Sequence, residues 1–398
     1  MITVKSAIKK IQSNTKVILD EVIHIKESSD RTLSHNYNSS FSNPPFNVSS
    51  MDGYACKLKD LKTLPIKLNL IGISSAGKNF NGKIKKNETV RVLTGAKIPE
   101  GSDIVIIQEN TSNKTKKSIT VNKINKNSFI RKKGMDFKNN DNWAKPGFPI
   151  KIKDIALGCA MNIEKIKVKK KPKVAILSTG DELVNIGKKT KDFQIISSSS
   201  IALKTLIESF GANVTDLGIC KDNKLLIKNK IKNIKNFDLL VTIGGASVGD
   251  KDLVKSSLLE KGFNLIFWRI AMRPGKPVFF GLLNKVPIIG LPGNPVSSYI
   301  CSLIFVKAAI HKMLDRKDKI INESIGILGS DLKENDERED YIRAKIKISK
   351  DNERIIYPHK IQDSSMLSIL AKADCIIRRP PNSKKVNAGS KVSYIELK

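Results

Sequence analysis

The sequence predicts a multidomain α/β-plus-β chain: a central, mainly parallel α/β/α sandwich, a small β-rich domain before it and a β-barrel after it. Three observations lead there. Strand-like and helix-like runs alternate from about 173 to 316, the pattern of a parallel sheet covered on both faces. Short β-like runs separated by Gly and Asn turns fill 56–132. Short β runs return over 317–398, where a small barrel is the expected solution. At 398 residues the chain is long enough for several domains.

In order, Ile8, Ile11, Val17 and Ile18 recur at helical spacing, so one helix is expected, then a short strand near Val22 to Ile25. Residues 34–50 are rich in Ser, Asn and Pro, and Asn43 to Phe46 is extended because each proline disfavours a helical residue before it. Strands are expected at Ile66 to Ile73, Thr89 to Leu93, Ile104 to Gln108 and Ser118 to Val121, then a helix from Asp154 to Met161. Lys169 to Pro172 reads as a linker. Beyond it come strands at Val174 to Ser178, Val214 to Ile219, Leu239 to Ile243, Leu265 to Ile270, Val278 to Leu282 and Ile288 to Leu291. Helices are expected at Ile201 to Phe210, Lys224 to Ile234, Leu253 to Lys261 and Val296 to Leu314. The domain division is 1–45 with 133–172 as a linking domain, 46–132 β-rich, 173–316 α/β and 317–398 barrel.

Composition narrows the function classes. A formal charge of +33 could suit nucleic acid, an anionic membrane or anionic small substrates. The excess is Lys spread evenly, and no basic run carries the interleaved aromatics of a nucleic-acid groove. The 5 cysteines form no C-x-x-C pair, which fits a reducing, cytoplasmic setting. The run from Val296 to Leu314 is broken by Lys307 and His311, so no membrane span is expected.

The chain is organised around Thr242 to Asp252, a strand running into a glycine-rich turn and then a helix. Gly244, Gly245 and Gly249 let backbone approach a bound group, and N–H groups at a helix start face an anion. Asp250 and Asp252 share that loop, and Mg²⁺ beside a phosphate takes such hard oxygen ligands. The plainer reading is a tight turn with Asp252 as helix cap. Three more segments leave strands at the same expected rim: Ser178 to Leu183 with Asp181 and Glu182, Arg273 to Pro277 with two cations, and Leu291 to Ser297 entering a long helix. In open α/β sheets ligands bind beyond the carboxyl ends of the strands. The set describes a site for a phosphorylated or oxyanionic substrate with Mg²⁺. No Walker A pattern, dinucleotide glycine fingerprint or Ser/His/Asp set is present.

Taken together, the motifs resemble the MoeA family, the molybdenum insertases, also found as the E domain of gephyrin-type proteins. The matching pieces are Pro44 to Phe46, Ser50 to Ala55, Leu93 to Ala96 with Pro99 and Gly101, and Arg131 with Gly134 and Asp136. Ser178 to Leu183, Gly244 to Asp252, Arg273 to Pro277 and Leu291 to Pro295 follow in family order, with a weaker match at Arg338 to Arg343 and Gln362 to Leu370. The resemblance implies an elongated four-domain subunit and a homodimer with its site between subunits. It implies insertion of molybdate into adenylylated molybdopterin with Mg²⁺ and release of AMP. Other molybdenum cofactor biosynthesis proteins would be partners. By motif match, Asp52, Glu182 and Asp252 would be catalytic, with Asp252 holding Mg²⁺. Thr94, Asp136, Thr179, Gly180, Asp181, Gly244, Gly245, Ser247, Gly249, Pro292, Asn294 and Pro295 would bind the pterin nucleotide. Arg273, Lys276, Pro277, Ser297, Arg338 and Ser365, or its neighbour Ser364, would take molybdate.

Each residue also has a plainer role. Asp52 sits in a Met-Asp-Gly turn, where Asp is common for backbone reasons. Glu182 could be a helix-start charge. Pro292 and Pro295 could simply shape the turn, and Arg338 with Arg343 could lie on a solvated strand face. The chain departs from the family at Ser197 to Ser200, where an Asp-Ser-Asn-like triplet is usual, at Arg273 in place of Lys, and at Asn47 in place of Asp. The rivals are a molybdopterin adenylyltransferase-like enzyme and a non-catalytic scaffold of the gephyrin type.

Overall fold

The computed structural model describes residues 1–245 and 253–397. Its centre is a six-stranded sheet in which Asn213–Cys220, Lys173–Thr179, Leu239–Ile243 and Val286–Leu291 run parallel in that order. Phe279–Leu283 adds antiparallel to Val286–Leu291, and Asn264–Trp268 antiparallel to Phe279–Leu283. Two reversals return Asn264–Trp268 to the direction of the parallel four. The carboxyl ends Thr179, Cys220, Ile243, Trp268 and Leu291 therefore share one rim.

Side chains along each strand alternate between two cores. Val174, Ile176, Leu239, Val241 and Ile289 face the helices Ser199–Ser209 and Pro295–Cys301. Ala175, Leu177, Leu240 and Ile288 face Lys224–Lys230 and Leu253–Leu259. The long helix runs from Pro295 to Met313, with a π-helical turn at Ser302–Val306. It is long and apolar enough to cross a membrane, but 78% of its apolar window is buried inside the protein, as in a core helix.

The amino-terminal helix is shorter than the periodicity suggests, Val4–Ser13. Asn14 ends it by donating its side-chain N–H to the Lys10 carbonyl at 2.8 Å, and the Thr15 hydroxyl takes the Ile11 carbonyl at 2.8 Å. Val17 and Ile18 lie beyond that stop. Val4, Ala7 and Ile11 enter the α/β core, and Ile2 bridges Ile270. The expected helix from Lys224 to Ile234 likewise breaks at Ile231, and a short 3₁₀ turn follows at Ile234–Asn236.

Asp20–His24 pairs antiparallel with Lys165–Lys169 over a core of Ile25, Leu33, Phe137, Trp143 and Ile166. A second six-stranded sheet holds Ile104–Ile107, Gly53–Cys56, Glu88–Val92, Ile66–Ser74, Ser118–Val121 and Thr111–Ser112. At the carboxyl end, Glu339–Ile348, Arg354–Pro358, Ser324–Leu328, Lys391–Glu396 and Cys375–Arg379 pair in sequence, and the last closes on the first. That is a closed five-stranded barrel, as expected, around Leu328, Ala344, Ile356, Ile377 and Tyr394.

Ile310 is fully buried where the long helix meets the sheet. Replacing it with Ala should cost about 2–5 kcal/mol through lost contacts and the cavity left behind. A urea melt that shows no fall in midpoint would refute this placement.

Candidate active site

The rim is built by close backbone approach. A Cβ on Gly244 would lie 2.5 Å from the Thr179 carbonyl oxygen, and one on Gly245 would lie 2.3 Å from Val254. Both residues adopt positive φ, +86° and +63°, so glycine is required twice over. The Gly244 N–H donates to the Leu291 carbonyl at 3.1 Å, which ties the glycine turn to the Pro292–Pro295 turn. The Thr179 hydroxyl is buried and has no partner among the described residues. A buried hydroxyl left open beside a glycine turn suits a phosphate oxygen. Ser247, Gly249 and Asp252 lie outside the described residues.

The other side of the rim is acidic. Glu182 folds back so that its carboxylate lies against the Gly180 Cα. Asp181 accepts the Asp222 N–H at 3.1 Å. Burial first, then the Asp181 and Glu182 carboxylates, push the Asp222 carboxyl above its ordinary value. The sequence reading passed over Asp222. Its signal was position: it directly follows the rim strand Asn213–Cys220 and precedes Asn223, which caps the next helix through the Leu225 and Leu226 N–H groups. Among the described residues no three His, Cys, Asp or Glu side chains form a ready metal cluster.

The barrel supplies the cationic side. The Asn294 side-chain N–H donates to the Ser364 hydroxyl at 2.8 Å, and the Val296 N–H donates to the Ser364 carbonyl at 3.1 Å. Ser364 thus meets the start of the long helix, where Ser297 is buried in the first turn. Ser365 instead turns back on Asp363, its hydroxyl 2.6 Å and its N–H 2.8 Å from Oδ1.

Arg343 is 1% exposed, far from a solvated strand face. Its Nη1 donates to the Asp363 carbonyl at 2.8 Å and its Nε to Gln362 Oε1 at 3.3 Å. No carboxylate among the described residues lies within ion-pair distance of it, and burial lowers its pKa. A buried cation is costly unless its donors are met, and here neutral oxygens of Gln362 and Asp363 meet them. Sequence reading preferred Arg338, which the structure pairs with Asp336. Arg343 shares strand parity with the buried Tyr341, and parity was the available signal.

The Arg273–Pro277 turn sits on the same rim. Gly275, at φ +114°, lies so close to the long helix that a Cβ would stand 2.4 Å from Cys301 Sγ. Lys276 is exposed; its carbonyl accepts the Ile270 N–H at 2.9 Å, and among the described residues its ammonium makes no hydrogen bond or ion pair. Arg273 donates through Nε and Nη2 to the Asp340 carboxylate at 2.9 and 2.8 Å. Pro277 is half-buried behind Lys276.

Asp52 and Thr94 meet each other but not the rim. Asp52 Oδ1 accepts the Thr94 N–H at 2.7 Å and its hydroxyl at 2.8 Å, which together lower the Asp52 pKa. Asp136 accepts from the Asn43 side chain at 3.0 Å. Asn47 accepts the Lys133 N–H at 2.9 Å, so Asn still serves as an acceptor there. No hydrogen bond or ion pair among the described residues joins 46–132 to 173–397.

A sheet rim of glycine turns with a barrel serine and a buried arginine beside it defines an α/β protein with an anion-suited rim and appended β domains. Comparison narrows this further. The probable molybdopterin binding domain matches residues 175–312, flanked by the MoeA N-terminal region (domain I and II) at 2–161 and the MoeA C-terminal region (domain IV) at 326–397. A molybdopterin molybdenumtransferase of Haemophilus influenzae is 34% identical over 94% of this chain and 93% of its own. One from Staphylococcus epidermidis is 28% identical over 99% and 95%. The molybdopterin biosynthesis moea protein from Pyrococcus horikosii superposes with a TM-score of 0.83 at 27% identity, covering 100% of this chain and 99% of that one. The chain belongs to the MoeA family of molybdenum cofactor biosynthesis transferases.

A pH prediction follows from Asp222. Its folded carboxyl titrates above the unfolded value, so ionisation is disfavoured in the fold, and stability is lost as pH rises through the folded pKa. In metal-free buffer Asp222→Asn should melt higher than the parent at pH 7, and the gap should close below about pH 4. A parent that melts as high as the variant at pH 7 would contradict the crowding.

Proposed function

We propose that this chain inserts molybdate into adenylylated molybdopterin and releases AMP, in a Mg²⁺-dependent step. The observation that carries the reading is Arg343, a buried guanidinium with no ion-paired carboxylate, beside Ser364 at the mouth of the rim. Molybdate is a tetrahedral dianion, and charge-assisted hydrogen bonds from Arg343 and Lys276, with the Ser364 and Ser297 hydroxyls, match its needs. Glycine backbone at Gly244 and Gly245 and the open Thr179 hydroxyl suit the substrate phosphates.

The carboxylates Asp181, Glu182 and Asp222 at that end of the rim are hard oxygen donors, which suit Mg²⁺ and not a soft metal. Asp252 would hold the ion, whose charge would neutralise the phosphoanhydride oxygens. Glu182 and Asp222 keep that end of the rim negative, while Arg343 and Lys276 keep the other positive, so the substrate is oriented by charge. Asp52, already ionised by its Thr94 bonds, would reach the site from the second subunit of a homodimer. Five free cysteines fit a reducing cytoplasm.

The test is reconstitution with adenylylated molybdopterin, molybdate and Mg²⁺, reading AMP. Asp252→Ala should lose AMP release by a factor on the order of 100 or more. Lys276→Ala should raise the molybdate requirement about tenfold. Parental AMP release from both variants would sink the reading.

A further inference from the structure

The Arg273–Pro277 turn carries two cations, and only one of them faces solvent unpaired. Every nitrogen of the Arg273 guanidinium meets a carboxylate. Nε and Nη2 form a fork on Asp340 at 2.9 and 2.8 Å, and Nη1 lies 3.5 Å from Asp336 Oδ2. The Asp340 side chain is 7% exposed, while that of Arg273 is 47% exposed, so the fork sits at the surface on a buried carboxylate. It lies on a seam between two domains: Met272–Arg273 pairs in parallel with Glu339–Asp340, the first residues of a barrel strand. The Glu339 N–H donates to the Ala271 carbonyl at 2.9 Å beside it. Two residues on, Gly275 rests against Cys301 of the long helix. The turn is thus held from the barrel by Arg273 and from the helix by Gly275, and Lys276 follows directly, its carbonyl taking the Ile270 N–H at 2.9 Å and its side chain exposed.

We infer that Asp340 is a positioning residue for the oxyanion: by gripping Arg273 it fixes the turn so that Lys276 meets molybdate, and Arg273 is not itself a ligand. This rests on the proposed molybdate site and says which of the turn's cations serves it. The geometry is specific to arginine here. A lysine at 273 would keep the charge but could not make the two-nitrogen fork.

The inference makes a prediction opposite in sign to the simple electrostatic one. The pair forms one wall of a cavity of about 280 Å³ that is also lined by Lys333, Gln362 and Arg379. Removing the Asp340 charge leaves Arg273, Lys333 and Arg379 facing that space with Glu334 as its one remaining lining carboxylate. If Arg273 were a ligand masked by Asp340, then Asp340→Asn would free it and molybdate would bind more tightly. If Asp340 positions the turn, the same substitution lets the turn drift and binding weakens.

The experiment is calorimetric titration of the full chain with molybdate, alongside steady-state AMP release as a function of molybdate. For Asp340→Asn the dissociation constant and the molybdate KM should both rise about tenfold, with kcat within about threefold of the parent. Arg273→Lys should weaken binding by a similar factor. The double variant should be no worse than either single, because both remove one fork. Tighter binding in Asp340→Asn, or additive losses in the double variant, would overturn the inference. Should Asp340→Asn fail to fold, Arg273→Lys decides: parental affinity there overturns it, and a tenfold loss supports it. A parent that gives no molybdate heat at all would instead remove the proposed function and the inference with it.

Discussion

A two-residue seam decides where the barrel stands over the sheet. Met272–Arg273 lies parallel to Glu339–Asp340, and the Arg273–Asp340 fork locks that register. A second tie forms where Ser364 meets the start of the long helix. Asn294 caps that helix by backbone shape alone, and its side chain is spent on Ser364. One of the helix's otherwise unpaired first N–H groups, that of Val296, is satisfied by the Ser364 carbonyl. The barrel therefore completes a helix terminus of the α/β domain. Removing either tie would leave Arg343 and Ser364 without a reason to face the rim.

Net charge says little about this site. The +33 is carried by lysines scattered over the surface. Several arginines near the barrel are neutralised locally: Arg338 on Asp336, Arg378 on Glu323 and Glu339, Arg273 on Asp340. Among the described residues two buried guanidiniums, Arg343 and Arg379, have no ion-paired carboxylate, and Arg343 is the one next to Ser364, with Lys276 exposed on the neighbouring turn. Desolvation strengthens an ionic hydrogen bond and raises the cost of leaving it unmade. One buried guanidinium thus outweighs many exposed ammonium groups. On the opposite side, crowding of Asp181, Glu182 and Asp222 concentrates negative charge. The rim has polarity because two small sets of buried or crowded groups are segregated, whatever the total.

The layered sheet and the barrel were legible because their signals are periodic. Near-continuous apolar runs at Val174 to Ser178 and Leu239 to Ile243 mark strands buried on both faces, and both occur as expected. Helix ends were less legible. Asn14 and Thr15 stop the first helix through side-chain bonds to its carbonyls, an effect hydrophobic spacing does not register. In the site, the residues found early lie in glycine and proline turns, where backbone constraint shows in the letters. Those passed over are Arg343 and Asp222, whose roles come from their surroundings. Arg343 sits among charged neighbours in sequence and becomes a site residue only because Gln362 and Asp363 wrap it. Asp222 gains its character from Asp181, 41 positions away.

The amino-terminal half raises a last point of construction. Asp52 spends one carboxylate oxygen on both donors of Thr94 and leaves the other open. The two Thr94 bonds lower its pKa by favouring the charged form. A preorganised, exposed carboxylate is well suited to accept a donor from elsewhere, because its own orientation costs nothing further on binding. Yet among the described residues its sheet makes no polar contact with the α/β domain or the barrel of the same chain. The Asp52–Thr94 pair is thus finished as a local structure and unfinished as part of a site. Were the proposed dimer to form, one subunit's sheet rim and barrel would supply the charged cleft, and the other's turn would bring a carboxylate already held in place by Thr94.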